Sequence, residues 1–164
     1  MSTDDIDPYH FRANMSASMT LAYDMRRTDM NFALGARLFK QLKEIGPNYL
    51  GDFYPLTEYT PAMDAWMAWQ YDRPETGIGM VQAFRRDGNT DTMHTYRLHG
   101  LDPIAQYLVT DVDSFTPVTI SGKALLEDGL IITIPQAPGA AVITYHRLQK
   151  NLDEQLENKC AWSV

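Results

Sequence analysis

The residues best suited to chemistry in this chain are its carboxylates and its aromatics. Asp4, Asp5, Asp7, Asp52, Asp64, Asp111 and Asp113 are of the type that hydrolyses a glycosidic bond, which takes one carboxyl as nucleophile and one as acid/base. All of them fall in turns or at strand ends, where aspartate is common for backbone reasons alone. Trp66, Trp69, Tyr71 and Phe84 flank a single turn and could offer flat faces to sugar rings. Aromatics placed in this way more often fill a core.

Other motifs are weaker. His10, His94, His99 and His146 show no helical or alternating pairing of the kind that converging metal ligands need, and neither a metal nor a cofactor is expected. Ser121–Gly122–Lys123 shares only its last letters with a phosphate-binding loop. Pro117 stands where the upstream glycine should be and Ala124 where the magnesium-holding hydroxyl should be, so a turn is expected. Gly77-x-Gly79 lacks the third glycine and the following helix of a dinucleotide site. Asn14–Met15–Ser16 is a glycosylation sequon by pattern alone.

Composition narrows the class further. The 164 residues are 45% hydrophobic and 21% charged, the make-up of a globular protein large enough to bury a core without staples. A net charge of -7 argues against a nucleic-acid footprint and against docking on an anionic membrane. One cysteine, Cys160, allows no intrachain disulfide. No apolar run approaches the roughly 20 residues that span a bilayer. The acidic N-terminus is unlike a secretory signal, so a soluble, cytoplasmic chain is expected.

The elements that must position these residues divide near residue 50. Asp4, Asp5 and Asp7 before Pro8 read as an extended acidic lead, and Phe11–Met25 as a packed loop or short helical turns. Leu34, Leu38, Leu42 and Ile45 recur at helical spacing with Phe39. An amphipathic helix is expected there, N-capped by Asp29 and stopped by Gly46–Pro47. From Gly51 onward turn residues punctuate eight short strand-like runs: Phe53–Leu56, Ala65–Tyr71, Met80–Arg86, Thr92–Leu98, Gln106–Asp111, Val118–Ser121, Leu130–Ile134 and Ala140–Leu148. Pro74 cannot donate to a ladder, so the strand before it should end near Tyr71 or Asp72. The fold expected is mainly β, an antiparallel Greek-key-type sandwich of about seven or eight strands preceded by that helix. The division is 1–50 helical lead, 51–148 sandwich and 149–164 tail.

Several words in the chain share their order with a known family. Gly51–Asp52–Phe53–Tyr54–Pro55–Leu56–Thr57, Asp64–Ala65–Trp66–Met67–Ala68–Trp69–Gln70, Arg73–Pro74–Glu75, Gly79 and Phe84–Arg85–Arg86 come first. Arg97–Leu98–His99–Gly100–Leu101–Asp102–Pro103, Tyr107, Ser121–Gly122–Lys123–Ala124–Leu125, Gly129–Leu130 and Ala140–Tyr145 follow. Together they resemble the C-terminal region of α-galactosidase-type glycoside hydrolases, family 36 and its relatives. Asp7–Pro8–Tyr9–His10–Phe11–Arg12 looks like the end of the last strand of that family's catalytic (β/α)₈ barrel, and the amphipathic helix like the barrel's final helix.

The resemblance implies an accessory sandwich that supports a catalytic barrel. The family's two catalytic aspartates lie on earlier barrel strands, so no residue here inherits either role, and the chain alone is expected to be inactive. Tyr9 and Arg12 would stand nearest the active-site mouth and are the substrate-side candidates that the resemblance implies. Two other readings stay open. In one, Trp66 or Trp69 is exposed and the chain is a stand-alone carbohydrate-binding module. In the other it is a self-associating domain, a homodimer, because the helix's apolar stripe needs cover; the alternative is that the helix folds back on the sandwich.

Overall fold

The computed structural model describes residues 5–20, 23–24 and 26–149. Asp4, Leu21, Met25 and the tail from residue 150, with Cys160 and Trp162, lie outside the described residues. In chain order the elements are α1 (Pro8–Ala13), α2 (Phe32–Ile45), a 3₁₀ turn (Gly46–Leu50), β1 (Asp52–Pro55), β2 (Trp66–Arg73), β3 (Ile78–Arg85), β4 (Met93–Tyr96), β5 (Gln106–Asp111), β6 (Pro117–Ser121), α3 (Gly122–Glu127), β7 (Leu130–Thr133) and β8 (Gly139–Arg147). All eight expected strands are present, within about two residues at each end. No helix among the described residues is long and apolar enough to cross a membrane.

The strands form two antiparallel layers. Six make one sheet in the order β1-β2-β3-β8-β5-β6, and β4 pairs with β7 in the second. Strand β8 therefore inserts between β3 and β5, and the chain leaves the large sheet twice to build the small one. A two-stranded ribbon is marginal by itself. Here Tyr96, Leu130 and Ile132 from the ribbon, with Leu125 from α3, pack against Trp66, Ala68, Val81, Ala83, Ile143 and Tyr145 of the large sheet. Burying a side chain of the size of Leu125 or Ile132 contributes about 1.5–3 kcal/mol relative to leaving it exposed.

The opposite face of the large sheet is covered by the helical lead. Leu38 and Ile45 of α2, Phe11 of α1 and Ile6, Met15 and Met30 pack with Met80 and Val142. The stripe on α2 is thus packed on the chain's own sheet, as the fold-back alternative expects. Strands β3 and β8 are buried on both faces, which is why their sequences run apolar instead of alternating. Strand β2 alternates strictly: Trp66, Ala68, Gln70 and Asp72 point to the inter-sheet core, while Met67, Trp69, Tyr71 and Arg73 point to the helical side.

Local chemistry explains the departures from the sequence reading. Asn31, not Asp29, caps α2, its Oδ1 accepting from the Leu34 amide at 3.0 Å, and Asp29 pairs instead with Arg27 at 2.8 Å. Helix α1 begins at Pro8, earlier than the packed segment expected from Phe11. Asp7 stays extended, as a residue before proline should, and accepts from the His10 amide at 2.9 Å. Ser121–Gly122–Lys123 opens α3, the helical turn that the sequence also allows over Lys123–Asp128 before Gly129, with Ser121 Oγ accepting from Ala124 N at 3.1 Å. The β2–β3 hairpin closes one residue later than expected. Gly77, at φ +67°, lets its amide bond the Arg73 carbonyl at 2.9 Å.

Candidate functional site

The four residues singled out as substrate-side do not converge on one place. Tyr9, near the start of α1, meets the edge of Phe84 at 5.9 Å between ring centres, and Phe84 stacks on Trp69 at 5.0 Å. Tyr9 and Trp69 therefore belong to one aromatic cluster on the helical face, joined through Phe84. Trp69 is half-buried, and its Nε1 donates to Gln82 Oε1 at 2.8 Å. Of the four, these two retain some solvent exposure.

Arg12 and Trp66 are committed elsewhere. Arg12 is 2% exposed. Its Nε donates to Gln41 Oε1 at 3.0 Å, one terminal nitrogen to the Ala140 carbonyl at 2.7 Å, and the other to Asp113 Oδ1 at 2.7 Å. The guanidinium thus ties α1 to α2, to β8 and to the loop after β5, which leaves it turned inward and not toward a substrate. Trp66 is 6% exposed in the inter-sheet core, with Nε1 donating to Asn89 Oδ1 at 3.0 Å and to the Asp91 carbonyl at 3.1 Å. A sugar ring could reach its face only if that core opened, so a stacking role for Trp66 does not fit this fold.

The most concentrated polar chemistry lies on the inter-sheet side and was not among the expected site residues. Asp72 on β2, Gly79 on β3 and Tyr145 on β8 stand side by side in register across three strands. With no side chain on Gly79, the Tyr145 ring lies over it and reaches Asp72, its hydroxyl donating to Oδ1 at 2.8 Å. Gln70 Nε2 donates to the same hydroxyl at 2.7 Å and to the His99 carbonyl at 2.8 Å, and Gln70 Oε1 accepts from the His99 amide at 2.8 Å. Asp72 is 2% exposed and Gln70 fully buried. Burial pushes the Asp72 carboxyl above its ordinary range; the Tyr145 hydroxyl opposes this, Asp52 and Glu75 reinforce it, and Arg147 opposes it weakly. Burial likewise pushes the Tyr145 hydroxyl up, with the Asp72 charge adding to it. The signal for this network was present in the sequence, because Trp66-x-Ala68-x-Gln70-x-Asp72 places Asp72 on the apolar face. With the strand expected to end near Tyr71 or Asp72, this carboxylate falls at its very end, whereas β2 runs on to Arg73.

The remaining candidates have simpler settings. Asp7 Oδ2 holds His10 Nδ1 at 2.8 Å, His94 stacks on Tyr96 at 4.4 Å, and His99 stacks on Tyr54 at 5.3 Å. Among the described residues no three histidines, aspartates, glutamates or cysteines are grouped so as to hold a metal ion.

Against solved structures, the chain matches the galactosidase domain of an α-galactosidase–sucrose kinase, AgaSK, at 24% identity and a TM-score of 0.54, over 68% of this chain and 15% of that one. It matches the family 36 α-galactosidase AgaB from Geobacillus stearothermophilus at 20% identity and a TM-score of 0.54, over 71% and 16%. An AgaA α-galactosidase variant from the same organism, solved with raffinose, matches at 17% identity and a TM-score of 0.57, again over 71% and 16%. No family model and no curated protein matches the sequence. The chain spans 15–16% of the length of the α-galactosidase chains it matches. The likeness is one of fold, and it falls on the family that the ordered motifs resemble.

Proposed function

We propose that this chain is an accessory β-sandwich of an α-galactosidase-type glycoside hydrolase, that it braces a catalytic barrel, and that it does not hydrolyse glycosides by itself. The observation that carries the reading is the match of this fold to 15–16% of family 36 α-galactosidase chains. Retaining hydrolysis needs two carboxylates about 5 Å apart around the scissile bond, set in loops of the kind that crown a barrel. Here Asp72 is sealed under Tyr145, Asp7 holds His10, and Asp113 holds Arg12. On this reading the first partner is the barrel, with Tyr9 as the residue of α1 nearest to it.

The test is an assay of the purified 164-residue chain on p-nitrophenyl α-galactoside. The rate is expected to equal that of buffer, and turnover that co-purifies with the chain would overturn the claim of inactivity. The bracing role is read from the DNA immediately upstream, where an in-frame barrel-coding segment is expected; a free-standing gene would count against it.

Carbohydrate binding is a second reading, favoured by one observation: Trp69, stacked on Phe84 beside Tyr9, remains half-buried and not sealed. Galactose or raffinose should then quench tryptophan fluorescence in the native chain and not in a folded Trp69→Ala variant. Equal quenching in both, or none in either, removes this reading.

A further inference from the structure

The Arg97–Asp102 segment plays no part in the role proposed above, yet buried polar groups are spent on holding it. Gln70 bonds both the amide and the carbonyl of His99, and its Nε2 also donates to the Tyr145 hydroxyl. Next in the chain, Gly100 adopts φ +72°. A Cβ there would stand 3.0 Å from Asp72 Oδ2 and 3.2 Å from the Tyr54 hydroxyl. Tyr54, on the edge strand β1, stacks on the His99 ring with 22° between the planes. A single carboxyl group, that of Asp72, therefore lies where β1, β2, β8 and the loop between β4 and β5 all meet.

The groups facing it set the balance of charge. Asp52 lies directly opposite on β1, Glu75 sits in the hairpin turn and Arg147 on β8. Tyr145 of β8, Tyr107 of β5, Tyr54 of β1 and His99 of the loop complete the surroundings. Two of the three charged neighbours are acidic, and Glu75 already has Arg73 at 3.1 Å.

We propose that Asp72 is a proton-controlled latch: protonated, it lets the His99–Leu101 loop and the β1 edge close over it, and ionised, it loosens them. A neutral carboxyl asks for no desolvated charge, whereas an ionised one is both buried and set beside Asp52 and Glu75. The sign follows from linkage. The Asp72 carboxyl is held above its ordinary value of 3.8, so at intermediate pH the folded chain keeps a proton that the unfolded chain releases. Its contribution is fully present below the ordinary value and is lost as pH rises through the raised one. The latch is independent of the galactosidase reading.

The test compares the native chain with Asp72→Asn between pH 4 and pH 8. Exchange of the His99 amide, which donates to Gln70 Oε1, normalised to its intrinsic rate, should lose protection with rising pH in the native chain and stay level in the variant. The thermal midpoint of the variant should exceed that of the native chain at pH 8, and the gap should close as pH falls toward 4. Parallel behaviour of the two proteins across the range would overturn the latch. Should Asp72→Asn fail to fold, a carboxyl-carbon NMR titration of the native chain decides: a midpoint above 3.8 sustains the proposal, and one at or below it removes it.

Discussion

Replacing Arg12 by alanine is expected to destabilise the fold by about 3 kcal/mol, near the lower end of the cost of breaking a buried charge pair. The lower end applies because Asp113 is 55% exposed and can turn to water once released. The other two partners cannot do so as readily: Gln41 is buried, and the Ala140 carbonyl belongs to an interior strand. Arg12 is also what links α1 to β8 and to α2, so its loss should loosen the whole helical layer. In a thermal melt this corresponds to a fall of about 6–12 °C. Arg12→Lys should recover only part of it, since an ammonium is one point donor where the guanidinium reaches in three directions. A melt lowered by less than about 2 °C would show that the sheet needs neither the clamp nor the helices it holds.

Gly79→Ala is expected to cost about 4 kcal/mol, from two effects that add. A methyl group at this position runs into the Tyr145 hydroxyl and ring and into the Tyr71 carbonyl, and overpacking of this kind costs about 1–3 kcal/mol. If the ring moves away to make room, the buried Asp72 carboxyl loses the hydroxyl that bonds it at 2.8 Å. A hydrogen bond to such a group contributes about 1.5–3 kcal/mol. Chemical denaturation read by fluorescence measures the sum. Gly79→Ala in a Tyr145→Phe background separates the parts: if the lost hydroxyl bond matters, the glycine substitution should cost less there than in the native chain. Equal cost in both backgrounds would assign everything to the clash with the backbone.

The two substitutions mark the boundary between what could be read in the chain and what could not. All eight strands were legible because β structure announces itself locally, by short apolar runs between glycine, proline and aspartate turns. The helix at Phe32–Ile45 was legible from its spacing, although its cap moved to Asn31, because two capping residues two positions apart compete and only packing decides between them. Arg12 gave no such signal. Its partners are 29, 101 and 128 residues away, and an arginine in a polar helix looks alike whether it faces solvent or a carbonyl. Trp66 and Trp69 differ by three residues and fall on opposite faces, so strand parity separated them, but parity cannot say which face a second layer will seal.

The sequence by itself therefore determined the fold class of this protein and the family it resembles: turn residues and alternating apolar runs are local, and their order resembles that of a family whose fold the chain shares. Only the tertiary structure decided where the polar groups went. Asp72 lies beneath Tyr145 because strands far apart in the chain are brought together, with Gly79 leaving room between them. Long-range register cannot be summed from local preferences, since each contact across it depends on every other strand being in place.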